Sequence, residues 1–372
     1  MRIAVLTTGR QDWGILRSTC LELRRRGELI LLAGGMHCEP RFGRTLQNLI
    51  DEGFAPEELP WGGVDIDAPA RVQSSQALLA VGNRLEWYRP DGLLIVGDRF
   101  ETAAAALAAT VARVPIAHLH GGEETAGAFD NALRHAITKL AHLHLVSHEE
   151  HARRVIAMGE DPAIVHVVGA PALDNLHRDD LATREELEQH LGIALVRPVV
   201  LVTLHPATLG GAPEVEVAAM LEAMDRVPAT YVITLPNVDP GGAVIREKLV
   251  AASERPGRRA VEALGERRYF GLLRVAEAML GNSSSGIIEA PVVRLPAINI
   301  GDRQKGRLRA GNVLDVPADA GAIAAALAHA LDRTFRDTLP ERGPFGDGQS
   351  APRIVELLAA WKPSLVKRPI PA

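Results

Sequence analysis

GLLIVGDRFETAAAALAATVARVPIAHLHGGE, residues 92–123, decides how the rest of the chain is read. Gly92 to Val96 is a continuous apolar run without polar alternation. Such a run marks a strand buried on both faces of a sheet. It ends at Gly97, and Asp98, Arg99 and Glu101 follow. Residues 101–112 are Ala-rich and favour helix. Residues 115–119 form the next buried strand, ending at His120-Gly121-Gly122. Strand, helix and strand within about thirty residues make a βαβ unit, which specifies a parallel sheet.

The same alternation extends both ways. Upstream, residues 2–8 and 28–34 read as strands, with a helix from about Ile15 to Arg26 and another near 43–52. Downstream come a helix at 130–141 and the strand HLHLVS. After HVVGAPALDNL the pattern restarts. Helices are expected at 184–191, 213–225, 270–278 and 318–333, and a last one near 351–361. Strands are expected at 198–204, 230–235, AMLG and LPAINIG. A chain of 372 residues suits two domains. The expectation is an α/β protein with two Rossmann-like domains, 1–170 and 171–350. Residues 351–372 hold a last helix, then a tail.

The totals exclude several classes. A net charge of −5 gives no basic footprint for nucleic acid. Two cysteines, Cys20 and Cys38, are too few for a disulfide framework or metal cluster. No run approaches a membrane span, and MRIAVLTTGR reads as a first strand rather than a signal peptide. The expected setting is cytoplasmic. GxGxxG is missing from both halves, so no dinucleotide cofactor is expected, and no HExxH-like spacing points to a metal.

In open parallel sheets, ligands bind beyond the carboxyl ends of the strands. Polar groups recur there. They are Arg10, Gln11 and Asp12; Asp98, Arg99 and Glu101; His120, Glu123 and Asp130; His205; Asn237; Asn282 to Ser285; and Asp302 with Arg303. Any one could be a cap or a loop residue. GNSSSG, between a strand and a helix start, suits an anion through free N–H groups, the helix dipole and hydroxyls. Simple N-capping by Ser283 or Ser284 explains it equally. Glu289, on the same helix, could accept ribose hydroxyls. Arg10, Arg99 and Arg303 offer bidentate contacts to phosphate. Asp98, Glu123 and Asp130 could converge as paired acid and base, although Asp130 could equally cap a helix. His142 and His144 suit packing better than metal ligation.

Together GRQDWGILR, GMHCEPRFG, GDRFET, HLHGGEETAGAFDNALRHAITKLAHLH, VGAPALDN, LHPAT, LPNVDPGG, GNSSSGIIEAP, INIGDRQKGR and FGDGQSAPRI resemble the UDP-N-acetylglucosamine 2-epimerase family. The likeness is to its hydrolysing branch, from sialic- and legionaminic-acid-type biosynthesis, and runs over about residues 2–361. It implies a GT-B-like fold with a UDP cleft between the domains and a C-terminal helix, within 351–372, packing back on the first domain. It implies UDP contacts at Arg10, Arg99, His205, Asn237, Leu264, Ser283, Ser284, Glu289 and Arg303. Catalytic roles are implied for Asp98, Glu123 and Asp130, and His205 is grouped with them. Trp13 and His120 join the substrate contacts. Gln11 and Trp13 depart from the usual first loop and could alter substrate fit. His120 stands where some relatives have their catalytic Glu, so that role lies with Glu123 or His120.

The implied reaction eliminates UDP and hydrates the glycal, giving UDP and N-acetylmannosamine, with a homodimer or higher homo-oligomer. Alternatives are the same reaction on UDP-2,4-diacetamido-2,4,6-trideoxyglucose, or non-hydrolysing epimerisation. A GT-B glycosyltransferase and a UDP-sugar sensor represent different classes.

Overall fold

The computed structural model describes all residues except 40–44, 60, 62–67, 125–129, 207–212, 237–241, 263, 341 and 368–372, and the side chains of Glu28 and Asp130. It divides into two compact units, Met1–Asp174 with Gly348–Ala372, and Asn175–Asp347.

Unit 1 is built on β1 (Arg2–Thr7), β2 (Glu28–Gly34), β3 (Glu57–Leu59), β4 (Gly92–Val96), β5 (Ile116–Leu119), β6 (Leu143–Val146) and β7 (Val165–Val167). All pairings are parallel, in the order β3-β2-β1-β4-β5-β6-β7. Helices α1 (Arg10–Arg26), α2 (Thr45–Asp51), α3 (Ala70–Tyr88), α4 (Phe100–Val111), α5 (Asp130–Leu140) and α6 (Glu149–Ala157) connect them.

Unit 2 repeats the plan with β8 (Val199–Thr203), β9 (Thr230–Thr234), β10 (Arg258–Val261), β11 (Ala278–Gly281), β12 (Ala297–Ile300) and β13 (Val313–Val316). Its order is β10-β9-β8-β11-β12-β13, again parallel. Its helices are α7 (Arg184–Leu191), α8 (Pro213–Arg226), α9 (Gly242–Ala252), α10 (Gly265–Val275), α11 (Ser285–Ile288), α12 (Ala320–Leu331) and α13 (Arg333–Thr338). Then α14 (Ser350–Ala360) belongs to unit 1. No described helix is long and apolar enough to cross a membrane.

The central strands explain the apolar runs. Every residue of β4, β5, β8 and β11 is buried. Each fully buried branched side chain contributes about 1.5–3 kcal/mol. On one face of the first sheet, Leu16, Cys20 and Leu23 of α1 pack in one cluster with Ile354, Val355 and Leu358 of α14. The other face packs Ala77, Val81 and Leu85 of α3 with the alanines of α4. Asp174 accepts from the backbone N–H groups of Ser350 and Ala351 at 2.9 and 2.6 Å, capping α14.

Several expected elements shift. The helix expected at 270–278 is Gly265–Val275, and β11 takes 278. The stretch expected as one helix at 318–333 is α12, then a break at Asp332, which accepts from Thr334 N and caps α13. The helix begun by the serines has only four residues, then a 3-10 turn at Ala290–Val293. Pro291 lacks an N–H and ends the α ladder there. Glu289 therefore stands at the α11 C-terminus.

Candidate active site and nucleotide site

In unit 1 the strand order reverses between β1 and β4, so the groups following these strands stand at a switch point. After β4, Asp98 is bound by the Arg134 guanidinium of α5. After β5, His120 adopts φ 62°, a left-handed conformation uncommon for histidine. Its Nδ1 lies 2.5 Å from Glu123 Oε1. Arg134 Nη1 donates to the His120 carbonyl at 3.3 Å and to Glu123 Oε2 at 3.4 Å. Thus a 7%-exposed arginine joins two carboxylates and the histidine turn. Glu123 Oε1 also accepts from Ser147 Oγ at 2.7 Å. Burial raises the Glu123 carboxyl, but His120, Ser147 and Arg134 reverse this and hold it well below the usual carboxylate range. His120 Nε2 is buried and has no hydrogen-bond partner among the described residues.

Behind these groups, His118 Nε2 lies 2.8 Å from the Gly97 carbonyl and must donate to it. Burial lowers the His118 pKa to about 3, keeping the ring neutral. Asp130 is the first residue of α5, but its side chain lies outside the described atoms, as does Asn237 entirely.

The first loop carries Trp13, expected among the substrate contacts, into the core. Trp13 is 4% exposed and packs edge-on against Phe54, ring centroids 4.9 Å apart. It lies one turn before Leu16 on the buried face of α1, within the same core cluster. Its ring thus packs into the core of unit 1. Asp12 is buried too, and accepts from Thr8 N at 2.7 Å and Thr8 Oγ1 at 2.6 Å, closing the start of α1. Burial raises its pKa, against those two bonds. Asp12→Ala should cost about 1–2 kcal/mol, measured by denaturant unfolding. Arg10 and Gln11 are exposed on the same turn. Arg99 pairs with the 1%-exposed Glu101, Nη2 to Oε1 2.7 Å and Nε to Oε2 3.2 Å. Glu101 thereby orients the arginine at the helix start.

In unit 2 the order reverses between β8 and β11. There His205 and Asn282 exchange two bonds, His205 N to Oδ1 and Nδ2 to His205 O, both 2.8 Å. The approach needs Gly281: φ is 135°, and an added Cβ would lie 1.9 Å from the Thr203 carbonyl. The Asn282 carbonyl accepts from Arg303 Nη1 at 3.1 Å and Gln304 Nε2 at 2.8 Å. The INIGDRQ loop is thereby fastened to the serine turn. Ser283 Oγ accepts from Ser285 N at 3.3 Å, a local cap. Ser284, at the α11 N-cap position, makes no side-chain capping bond. Tyr269 of α10 lies near Ser283, Ser285 and Glu289. Burial raises the Tyr269 hydroxyl and the Glu289 carboxyl above their ordinary values. Leu264 is buried at the α10 N-cap. Gathered here are His205, Ser283, Ser284, Glu289 and Arg303.

Residues 21–359 match the family model described as UDP-N-acetylglucosamine 2-epimerase. The chain belongs to this family. Within it, the chain is 35% identical over 321 residues to a GDP/UDP-N,N'-diacetylbacillosamine 2-epimerase (hydrolyzing) of Campylobacter jejuni, covering 84% of each chain. It is 32% identical over 367 residues to a UDP-N,N'-diacetylbacillosamine 2-epimerase (hydrolyzing) of Legionella pneumophila, covering 96% of this chain and 95% of that one. The crystal structure of a UDP-GlcNAc 2-epimerase from Neisseria meningitidis, bound to UDP-GlcNAc, superposes with a TM-score of 0.82. That match covers 97% of this chain and 100% of that one, at 19% identity, and shows a shared fold.

Sequence reasoning passed over Arg134, Ser147, His151 and Tyr269. Arg134 lay within the quoted titratable segment, but nothing in its spacing linked it to Asp98, 36 residues away.

Proposed function

We propose that this 2-epimerase-family chain hydrolytically epimerises a UDP-linked 2-acetamido sugar at C2. The supporting observation is the partly buried constellation of Asp98, Arg134, Glu123 and His120, with His120 Nε2 unpartnered among the described residues. A carboxylate base, Asp98 or Asp130, removes the C2 proton as the C1–O bond breaks and UDP leaves with the electron pair. The glycal then gains a proton at C2 from His120 Nε2–H and hydroxyl from water at C1. The proton released by that water recharges the imidazole. Glu123, with both oxygens occupied, holds the ring and balances imidazolium. The two sequence alternatives thus become partners: His120 transfers the proton and Glu123 orients it. Unit 2 supplies groups suited to UDP: Arg303, the serine turn, and Glu289 for ribose hydroxyls.

The sugar we favour is UDP-2,4-diacetamido-2,4,6-trideoxyglucose, the compound named in both bacillosamine relatives, ahead of UDP-N-acetylglucosamine. Incubation with each sugar in deuterated water is expected to release UDP and a free 2-epimer deuterated at C2, faster for the diacetamido sugar. Recovery of a deuterated UDP-sugar would establish the non-hydrolysing reaction. Binding without turnover would establish a sensor, and transfer to an acceptor a glycosyltransferase.

We also propose a homodimer through α3 and α4, which pack together and leave Trp87 78% and Val111 77% exposed. Trp87→Glu with Val111→Glu should convert the dimer to monomer in light scattering.

A further inference from the structure

Ser147 and His151 lie behind Glu123 and are unused in the mechanism above. Ser147 follows β6 and is 3% exposed. Its Oγ lies 2.7 Å from Glu123 Oε1 and 2.9 Å from Nδ1 of His151, on the first turn of α6. The hydroxyl has one proton, and an ionised Glu123 has none to give. Ser147 therefore donates to Glu123 and accepts from His151, which must carry its proton on Nδ1. On the other side, His120 Nδ1–H donates to the same Oε1 at 2.5 Å. The backbone holds this row rigidly. Gly122 has φ 76°, and a Cβ there would lie 2.4 Å from the His151 carbonyl. Arg154 of α6 donates to the Gly122 carbonyl. The turn carrying His120 and Glu123 is thus pressed against the helix carrying His151.

We infer that Ser147 and His151 are positioning residues that orient Glu123 and set the proton affinity of the His120–Glu123 pair. The row of donors keeps Glu123 an acceptor, holds one His120 proton on Nδ1 and leaves Nε2, with the second proton of the imidazolium, to the sugar. Nothing assigns either residue a role in the reaction, and the inference rests on the epimerase reading only for what Nε2 meets. Other charged or titratable groups facing the row are Asp98 and Arg134 from β4 and α5, His118 from β5, and His148 and Arg154 on α6.

The sign follows from removing a donor from an anion. Without the Ser147 hydroxyl, Glu123 attracts the His120 proton more strongly, and the pair releases it at higher pH. The test is ¹⁵N NMR titration of histidine-labelled, full-length protein, which needs no turnover. Ser147→Ala should move the pair's titration up by about one pH unit, with the His120 proton still on Nδ1. Ser147→Thr should retain the wild-type curve, and His151→Phe should shift it in the same direction as Ser147→Ala. In turnover, Ser147→Ala should lower kcat about tenfold with KM unchanged. An unchanged titration in both Ser147→Ala and His151→Phe would overturn the inference. Wild-type protein inert toward all UDP-sugars, yet showing these shifts, would instead overturn the epimerase reading alone.

Discussion

Arg134→Met should lower kcat about 10³-fold and destabilise the first unit by about 3–5 kcal/mol. One guanidinium binds both Asp98 and Glu123, and it is only 7% exposed. Methionine fills similar space but leaves two partly buried carboxylates without their shared counter-charge. Their repulsion raises the pKa of at least one, so a proton occupies a group that the mechanism needs ionised. Arg134 also donates to the His120 carbonyl and so supports the strained turn. Arg134→Lys restores charge but not the fork, so stability should recover more than kcat. Steady-state kinetics with urea unfolding separates the two losses. A methionine variant with near wild-type kcat would show that the constellation is not the reacting centre.

Glu123→Gln should reduce kcat about 10²–10⁴-fold with little effect on folding. The glutamine amide can turn its N–H₂ toward His120 Nδ1, which then becomes an acceptor and moves the ring proton to Nε2. The imidazolium also loses its anion, so the limb of the pH–rate profile set by this pair should move to lower pH. That direction is opposite to the shift expected for Ser147→Ala. Full activity in Glu123→Gln would leave His120 without a need for an anionic partner.

The sequence showed most where burial is uniform. GLLIV and AMLG are read correctly because central parallel strands bury both faces and leave no polar break. Edge strands were not legible: β3 and β7 have three residues each, and β10 includes Arg258 and Arg259. Helix α3 was passed over although Gln73, Ala77, Val81 and Leu85 form its buried stripe. Exposed Leu78 and Leu79 interrupt that stripe and blur its period. In the site, His120 and Glu123 are three residues apart and could be seen as a pair. Arg134 and Ser147 enter through long-range contacts that no local pattern encodes. For Trp13 the motif pointed to the ligand, while helical spacing places it in the core.

The capping of α14 by Asp174 bears on how the chain is made. Unit 1 leaves off at Asp174 and resumes at Gly348, and the hydrogen bonds from Ser350 and Ala351 bring those two ends side by side. Unit 2 is thus an insertion into unit 1. During synthesis, the face of α1 that carries Leu16 and Leu23 must wait for Ile354 and Leu358 until all of unit 2 has emerged. That face of α1 is therefore covered only after unit 2 has been made. Joining Asp174 directly to Gly348 through a few glycines should yield unit 1 as an independently folding protein, whereas stopping the chain at Asp174 should not.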